Sequence, residues 1–158
     1  MPVGTVGAAF AGVVRVYRTS RWYAPPHQAL CVVAASGFLY LLLIGRGRGW
    51  SDNESNAARH FAWQVYLSLR LGYAGATTLG NAHERGSPTP ADSARDTANN
   101  GMARDWFRVH EDEVRRQVGR FAGPMDLNRL VSQGRELYRA GRMFARGTAE
   151  KPLKGFHG

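Results

Sequence analysis

The chain has 158 residues, a formal net charge of +9 and a pI near 10.6, with a single cysteine, Cys31. That length is enough for one domain with a buried core, and one cysteine excludes an internal disulfide. The sequence contains no repeat, zinc-type Cys/His spacing, Walker loop or dinucleotide fingerprint. Its excess of basic residues suits binding to nucleic acid, an anionic membrane surface or an acidic partner protein.

Residues 1–50 are predicted to form an apolar helical hairpin. Small residues recur every fourth position within 3–14, which lets another helix approach closely. The stretch 29–44 is uncharged and strongly apolar but falls short of the roughly 20 residues that span a bilayer. The stretch 29–44 is therefore predicted to be either a membrane-inserted helix or a buried core helix. Pro25 and Pro26 stop the first helix and set the turn.

The next stretch is predicted to contain two helices separated by a glycine. Ser51 and Glu54 have the spacing of a capping box, which indicates a helix start. The helix is expected to end near Leu71, because Gly72 offers a left-handed stop. A second helix, rich in small residues, is expected over 73–84.

A further helix is predicted to start at Asp92 or Ser93 and to end before Pro124. The last helix, over 126–146, is amphipathic and basic, with its arginines expected mostly outward. These elements predict an all-α bundle of about four to six helices. The predicted organisation is an apolar N-terminal segment at 1–50, a helical domain at 51–146 and a flexible tail at 147–158.

Unusual polar residues gather in the middle third of the chain. His60 and His83 matter most, because a neutral imidazole can act as a general base or bind a metal. Acidic side chains can orient these rings, and Arg59 suits a phosphate or carboxylate. The candidate catalytic residues are Arg59, His60, His83, Glu84 and Asp96. The candidate supporting residues are Asn56, Trp63, Asn99, Asn100 and Arg104.

Two other interpretations of this polar group stay open. The same side chains can form a buried hydrogen-bond network that joins three helices, because buried polar groups need partners in any protein. They can also supply a divalent metal ion with ligands, for which His60, His83 and Asp96 are the candidates.

The series N-A-x-R-H-x-x-W, a later H-E and then D-x-x-N-N resembles an uncharacterised all-helical domain of bacterial secreted and polymorphic-toxin-like proteins. The resemblance covers about Asn56 to Arg104. The chain departs from the family pattern with Arg95 where the family has Met, and with Ala103 before Arg104 where it has Gly. The resemblance implies an exported bacterial effector or toxin and does not imply a mechanism.

These observations predict a secreted antibacterial effector, delivered into a target bacterium, whose His/acid site has hydrolase-type chemistry. Phosphodiester and phospholipid bonds suit the basic surface, and a toxin of this type implies a cognate immunity protein. The alternative is a membrane-disrupting or pore-forming effector whose segments 3–14 and 29–44 insert into anionic bilayers. A structural or interaction protein is the third interpretation. Nucleic-acid binding is not favoured, because the basic residues form no compact patch.

Overall fold

A computed structural model describes residues 3–44, 52–85, 90–118 and 123–143. The described residues form five α-helices and no strand, which confirms the prediction of an all-helical fold. The predicted tail at 147–158 and the predicted cap Ser51 lie outside the described residues. The helices are α1 Val3–Ser20, α2 Pro26–Ile44, α3 Asp52–Glu84, α4 Pro90–Gln117 and α5 Pro124–Arg139.

Helix α3 folds back on itself at Gly72. The backbone there has φ 69° and ψ 175°, a conformation open essentially only to glycine. Gly80 lies against the side chain of Gln64, and Glu84 lies beside His60. Both pairs are centred on residue 72, so the segments 52–71 and 73–84 run antiparallel. The predicted helix stop at Gly72 is confirmed.

Helix α3 is the central element of the bundle, because α1, α2, α4 and α5 all pack against it. Helix α4 runs parallel to the first segment of α3. His60 on α3 contacts Asn100 on α4, and four residues further along both helices Gln64 contacts Arg104. The largest fully buried apolar side chains among the described residues are Val32, Leu39, Phe61, Val65, Tyr66, Leu67, Leu79, Val114 and Val131. The core therefore forms on all sides of α3.

Helix α2 buries one face in this core. Ala29, Val32, Ala35 and Leu39 recur at helical spacing and are all buried. Within the described ranges, no helix is both long enough and apolar enough to cross a bilayer.

Helix α5 ends earlier than the sequence pattern predicts. The predicted helix reached residue 146, but α5 stops at Arg139. Gly141 has φ 69° and donates its N–H to the carbonyl of Tyr138 at 3.0 Å, while Arg142 donates to Leu137 at 2.9 Å. These bonds form a Schellman motif, in which a left-handed glycine ends the helix. The prediction was wrong because Gly141 is a cap.

Two arginines of α5 bind an acidic residue of α3, although the side chain of Arg139 is still 58% exposed. The Nε atoms of Arg135 and Arg139 lie 2.7 Å and 2.6 Å from Oε1 of the buried Glu54. Burial raises the pKa of Glu54, but hydrogen bonds and charge from both arginines lower it by more, so its net shift is downward. The carboxylate is therefore ionised at neutral pH and joins the two helices.

We predict opposite effects of alanine at two glycines that both face open space, Gly72 and Gly37. Gly72→Ala should lower the free energy of unfolding by about 1–3 kcal/mol, because alanine strains the Gly72 backbone. Gly37→Ala should raise it by about 0.5–1 kcal/mol, because Gly37 lies inside α2. Urea unfolding of both variants measures this, and equal shifts would contradict the special role of Gly72.

Candidate active site

The candidate site lies between the two segments of α3 and helix α4. His60 comes from the first segment, and only 3% of its surface is exposed. Glu84 ends the returning segment, while Asp96 and Asn100 lie one turn apart on α4. All four side chains are buried. The reversal at Gly72 is therefore what brings Glu84 to His60.

A hydrogen-bond chain defines the tautomer of His60. Asn100 donates from Nδ2 to Oε1 of Glu84 at 3.1 Å, so its carbonyl oxygen faces the opposite way. That oxygen lies 2.9 Å from Nδ1 of His60 and accepts its proton. In the neutral ring, Nε2 is then left with a lone pair.

The carboxylate of Asp96 faces that lone pair. Its Oδ2 lies 3.4 Å from Nε2 of His60. Its Oδ1 accepts hydrogen bonds from Nδ2 of Asn56 at 2.8 Å and from Nε of Arg95 at 3.0 Å. Asn56 in turn accepts a hydrogen bond from Arg59. Asp96 is thus fixed through one oxygen and presents the other to His60.

Burial moves the pKa values of the two central groups in opposite directions and reverses their usual order. Loss of hydration lowers the pKa of His60, although the charge of Asp96 opposes that shift. Burial, and then the charge of Asp96, raises the pKa of Glu84 to about 7. At neutral pH the imidazole is therefore neutral, while Glu84 exchanges a proton with its surroundings. This combination is typical of acid–base sites.

His83 and Trp63 form the outer edge of the site. The His83 ring lies edge-on to the Trp63 ring at 5.1 Å and 6.1 Å from the His60 ring. His83 is exposed, but partial loss of hydration still lowers its pKa. The indole of Trp63 donates to Oγ of Ser36 on α2 at 2.9 Å, which links the site to the N-terminal helices.

The metal ligands predicted from sequence differ from the set that the structure brings together. His60, Glu84 and Asp96 each offer an atom, and these atoms lie within 4.8 Å of one another, close enough to share a cation. Glu84 takes the place that the prediction gave to His83. However, Asp96 approaches Nε2 of His60 while Glu84 lies 3.7 Å from Nδ1. Carboxylates at opposite ring nitrogens suit proton transfer better than one shared metal.

Two of the predicted supporting residues lie deeper in the interface. Asn99 is fully buried beside Asn100. Arg104 donates to Oε1 of Gln64 at 3.0 Å and lies over the ring of Tyr73 at 5.6 Å, away from His60. Sequence analysis missed Gln64, although its position one turn after His60 places it on the same helical face.

Arg95 was also missed as a site residue, and in its case no pattern pointed to the role. Neighbouring residues on a helix normally point apart, yet Arg95 reaches back to the carboxylate of Asp96. Only the folded structure shows this contact.

Comparison with known proteins finds one similarity. A family model described as Domain of unknown function (DUF6973) matches residues 45–122. That range contains α3, α4 and every candidate site residue, whereas α1, α2 and α5 lie outside it. No curated protein and no solved structure matches the chain. The similarity therefore brings no established activity to this site.

We predict that Glu84 makes stability depend on pH. Its pKa in the folded chain, about 7, exceeds the ordinary 4.5, so folding favours the protonated carboxyl, and stability falls as pH rises between these values. Glu84→Gln imitates the protonated acid. It should be more stable than the wild type by about 1–3 kcal/mol near pH 8 and nearly equal to it near pH 4.5.

Urea unfolding at both pH values measures this difference. The exposed Glu136 on α5 lies outside the site, so Glu136→Gln provides the control for the loss of one carboxylate. An offset for Glu84→Gln that is the same at both pH values would contradict the prediction.

Proposed function

We propose that this protein is a hydrolytic enzyme of the bacterial effector type, with His60 as general base and Glu84 as its acid–base partner. The observation that carries the proposal is one buried neutral imidazole between two carboxylates, Asp96 at 3.4 Å and Glu84 at 3.7 Å. A structural network needs no titrating acid in its centre, whereas the pKa of Glu84, about 7, suits catalysis at neutral pH.

The geometry supports the following division of labour. His60 takes a proton from water through Nε2, since Nδ1 already donates to Asn100. The carboxylate of Asp96 stabilises the imidazolium that forms. Glu84, partly protonated at neutral pH, gives a proton to the leaving group. Asn100 binds both His60 and Glu84, so it positions the base and the acid together.

Charge near the site favours an anionic substrate. Arg95 binds Asp96 directly, Arg59 is linked to it through Asn56, and both arginines are only partly buried. Guanidinium groups bind phosphate and carboxylate through paired N–H donors. The whole chain is also strongly basic. We therefore propose a phosphodiester or phospholipid bond as the target.

The resemblance over Asn56 to Arg104 to secreted toxin-like domains supports the effector part of the proposal. An enzyme of this kind is delivered into a target bacterium. Its producing cell then needs an immunity protein, which would block the edge around His83.

We predict that His60→Asn abolishes hydrolysis while the protein stays folded. Asparagine keeps a donor near the position of Nδ1 and removes Nε2, which should lower turnover about 10²–10⁴-fold. Turnover is measured on bis(4-nitrophenyl) phosphate, 4-nitrophenyl acetate and phosphatidylglycerol vesicles, and growth inhibition is scored after expression with and without an export signal.

His27 on α2 is exposed and provides the matched control, because His27→Asn should act as the wild type. Glu84→Gln should lose the pH dependence of turnover near pH 7 and much of its rate. A folded His60→Asn protein with wild-type turnover and toxicity would remove this function.

The turn between α1 and α2 supports a second candidate function, a membrane-disrupting effector. Trp22 is 86% exposed there, beside the exposed Tyr23, Arg18 and Arg21. Aromatic and basic side chains together are typical of segments that lie at a membrane interface. In this function the turn between α1 and α2 leads the N-terminal hairpin into an anionic bilayer. The His60 group then has only a structural role and holds the bundle together.

We predict for this second candidate that Trp22→Ser reduces leakage of dye from phosphatidylglycerol vesicles by about tenfold, since the indole supplies much of the affinity for the interface. His60→Asn should leak like the wild type. Leakage that is absent in the wild type, or equal in Trp22→Ser, would contradict the membrane function.

A further inference from the structure

A cavity of about 480 Å³ lies where α3 reverses at Gly72 and packs against α4. It is distinct from the His60 site, because His60 precedes Gly72 by about 18 Å of helix at 1.5 Å per residue. Its volume falls in the range of small-molecule sites. The lining residues with polar or aromatic side chains include Tyr23, Ser68, Arg70, Tyr73, Arg108 and Arg115.

The lining is strongly basic. Three arginines face one acidic residue, Glu111, which is already bound to Arg115 at 2.6 Å. Arg108 has a 73% exposed side chain and its ion-pair partner Asp105 is 4.0 Å away, so its guanidinium group can turn towards a ligand. The cavity therefore carries excess positive charge of the kind that binds phosphate.

A buried hydroxyl in the lining independently indicates a ligand. Ser68 is only 2% exposed, and within the described part of the chain its Oγ has no hydrogen-bond partner. Buried polar groups are nearly always paired, because an unpaired one loses its bonds to water without compensation. An acceptor oxygen of a bound molecule would satisfy this hydroxyl.

Two tyrosine rings provide flat apolar walls. Tyr23 is anchored through its hydroxyl to Oγ1 of Thr78 at 2.9 Å. Tyr73 has the guanidinium group of Arg104 over its ring at 5.6 Å. Both rings are exposed yet fixed in place. Fixed exposed rings are suited to stacking on a flat ring of a ligand.

We propose that this cavity binds a small phosphorylated molecule with a flat ring, of the nucleotide class. The phosphate lies among the arginines and accepts the proton of Ser68. The flat ring stacks on a tyrosine wall. The site regulates or assists the protein independently of the chemistry at His60.

Titration calorimetry of the full chain with adenosine monophosphate, adenosine and inorganic phosphate tests the proposal. The nucleotide should bind at least about tenfold more tightly than either fragment, because only it uses both the arginines and the rings. Arg108→Gln, which changes an exposed side chain, should weaken nucleotide binding about tenfold. The exposed Arg116 lies outside the lining, so Arg116→Gln should bind as the wild type.

Ser68→Ala separates binding from stability. Removing an unpaired buried hydroxyl should leave the unfolding midpoint unchanged or higher, while nucleotide affinity falls several-fold. His60→Asn should bind the nucleotide normally, so failure of the hydrolase proposal would leave this one standing. Any one of four results would overturn the nucleotide proposal. They are no nucleotide binding, equal affinity for inorganic phosphate, equal losses of nucleotide affinity in Arg108→Gln and Arg116→Gln, and unchanged nucleotide affinity in Ser68→Ala.

Discussion

The backbone conformation of Gly72 is the constraint on which the rest of the structure depends. Its φ of 69° and ψ of 175° suit glycine and turn the chain back on itself without an intervening loop. The segment 73–84 therefore returns along the first segment of α3 and ends beside His60. The same reversal forms one wall of the basic cavity. One residue thus positions both the candidate active site and the candidate ligand site.

The polar groups of the site lie where a helical bundle normally places apolar side chains. His60, Glu84 and Asp96 are each buried, and each is held by amide side chains or arginines from neighbouring helical turns. Such a network is favourable only while every member keeps its partner. The same burial makes the imidazole neutral and Glu84 proton-exchanging at neutral pH. The contacts that hold the site together therefore also set these pKa values.

A continuous polar stripe connects the two sites along α3. His60, Gln64 and Ser68 follow one another at intervals of four residues, so they lie on one face of the helix. Asn100 and Arg104 on α4 face the first two members of this stripe. The stripe runs from the acid–base group to Ser68, which lines the basic cavity.

Helical periodicity and glycine chemistry act within one segment, so the sequence predicted the helical elements, the stop at Gly72 and most of the polar residues that meet at the site. That Glu84, rather than His83, joins His60 in the buried site became clear only in the folded structure. It alone showed that α5 ends at Gly141 and that Glu54 binds two arginines of α5. These outcomes depend on the direction in which segments pack, and spacing along the chain carries no information about it.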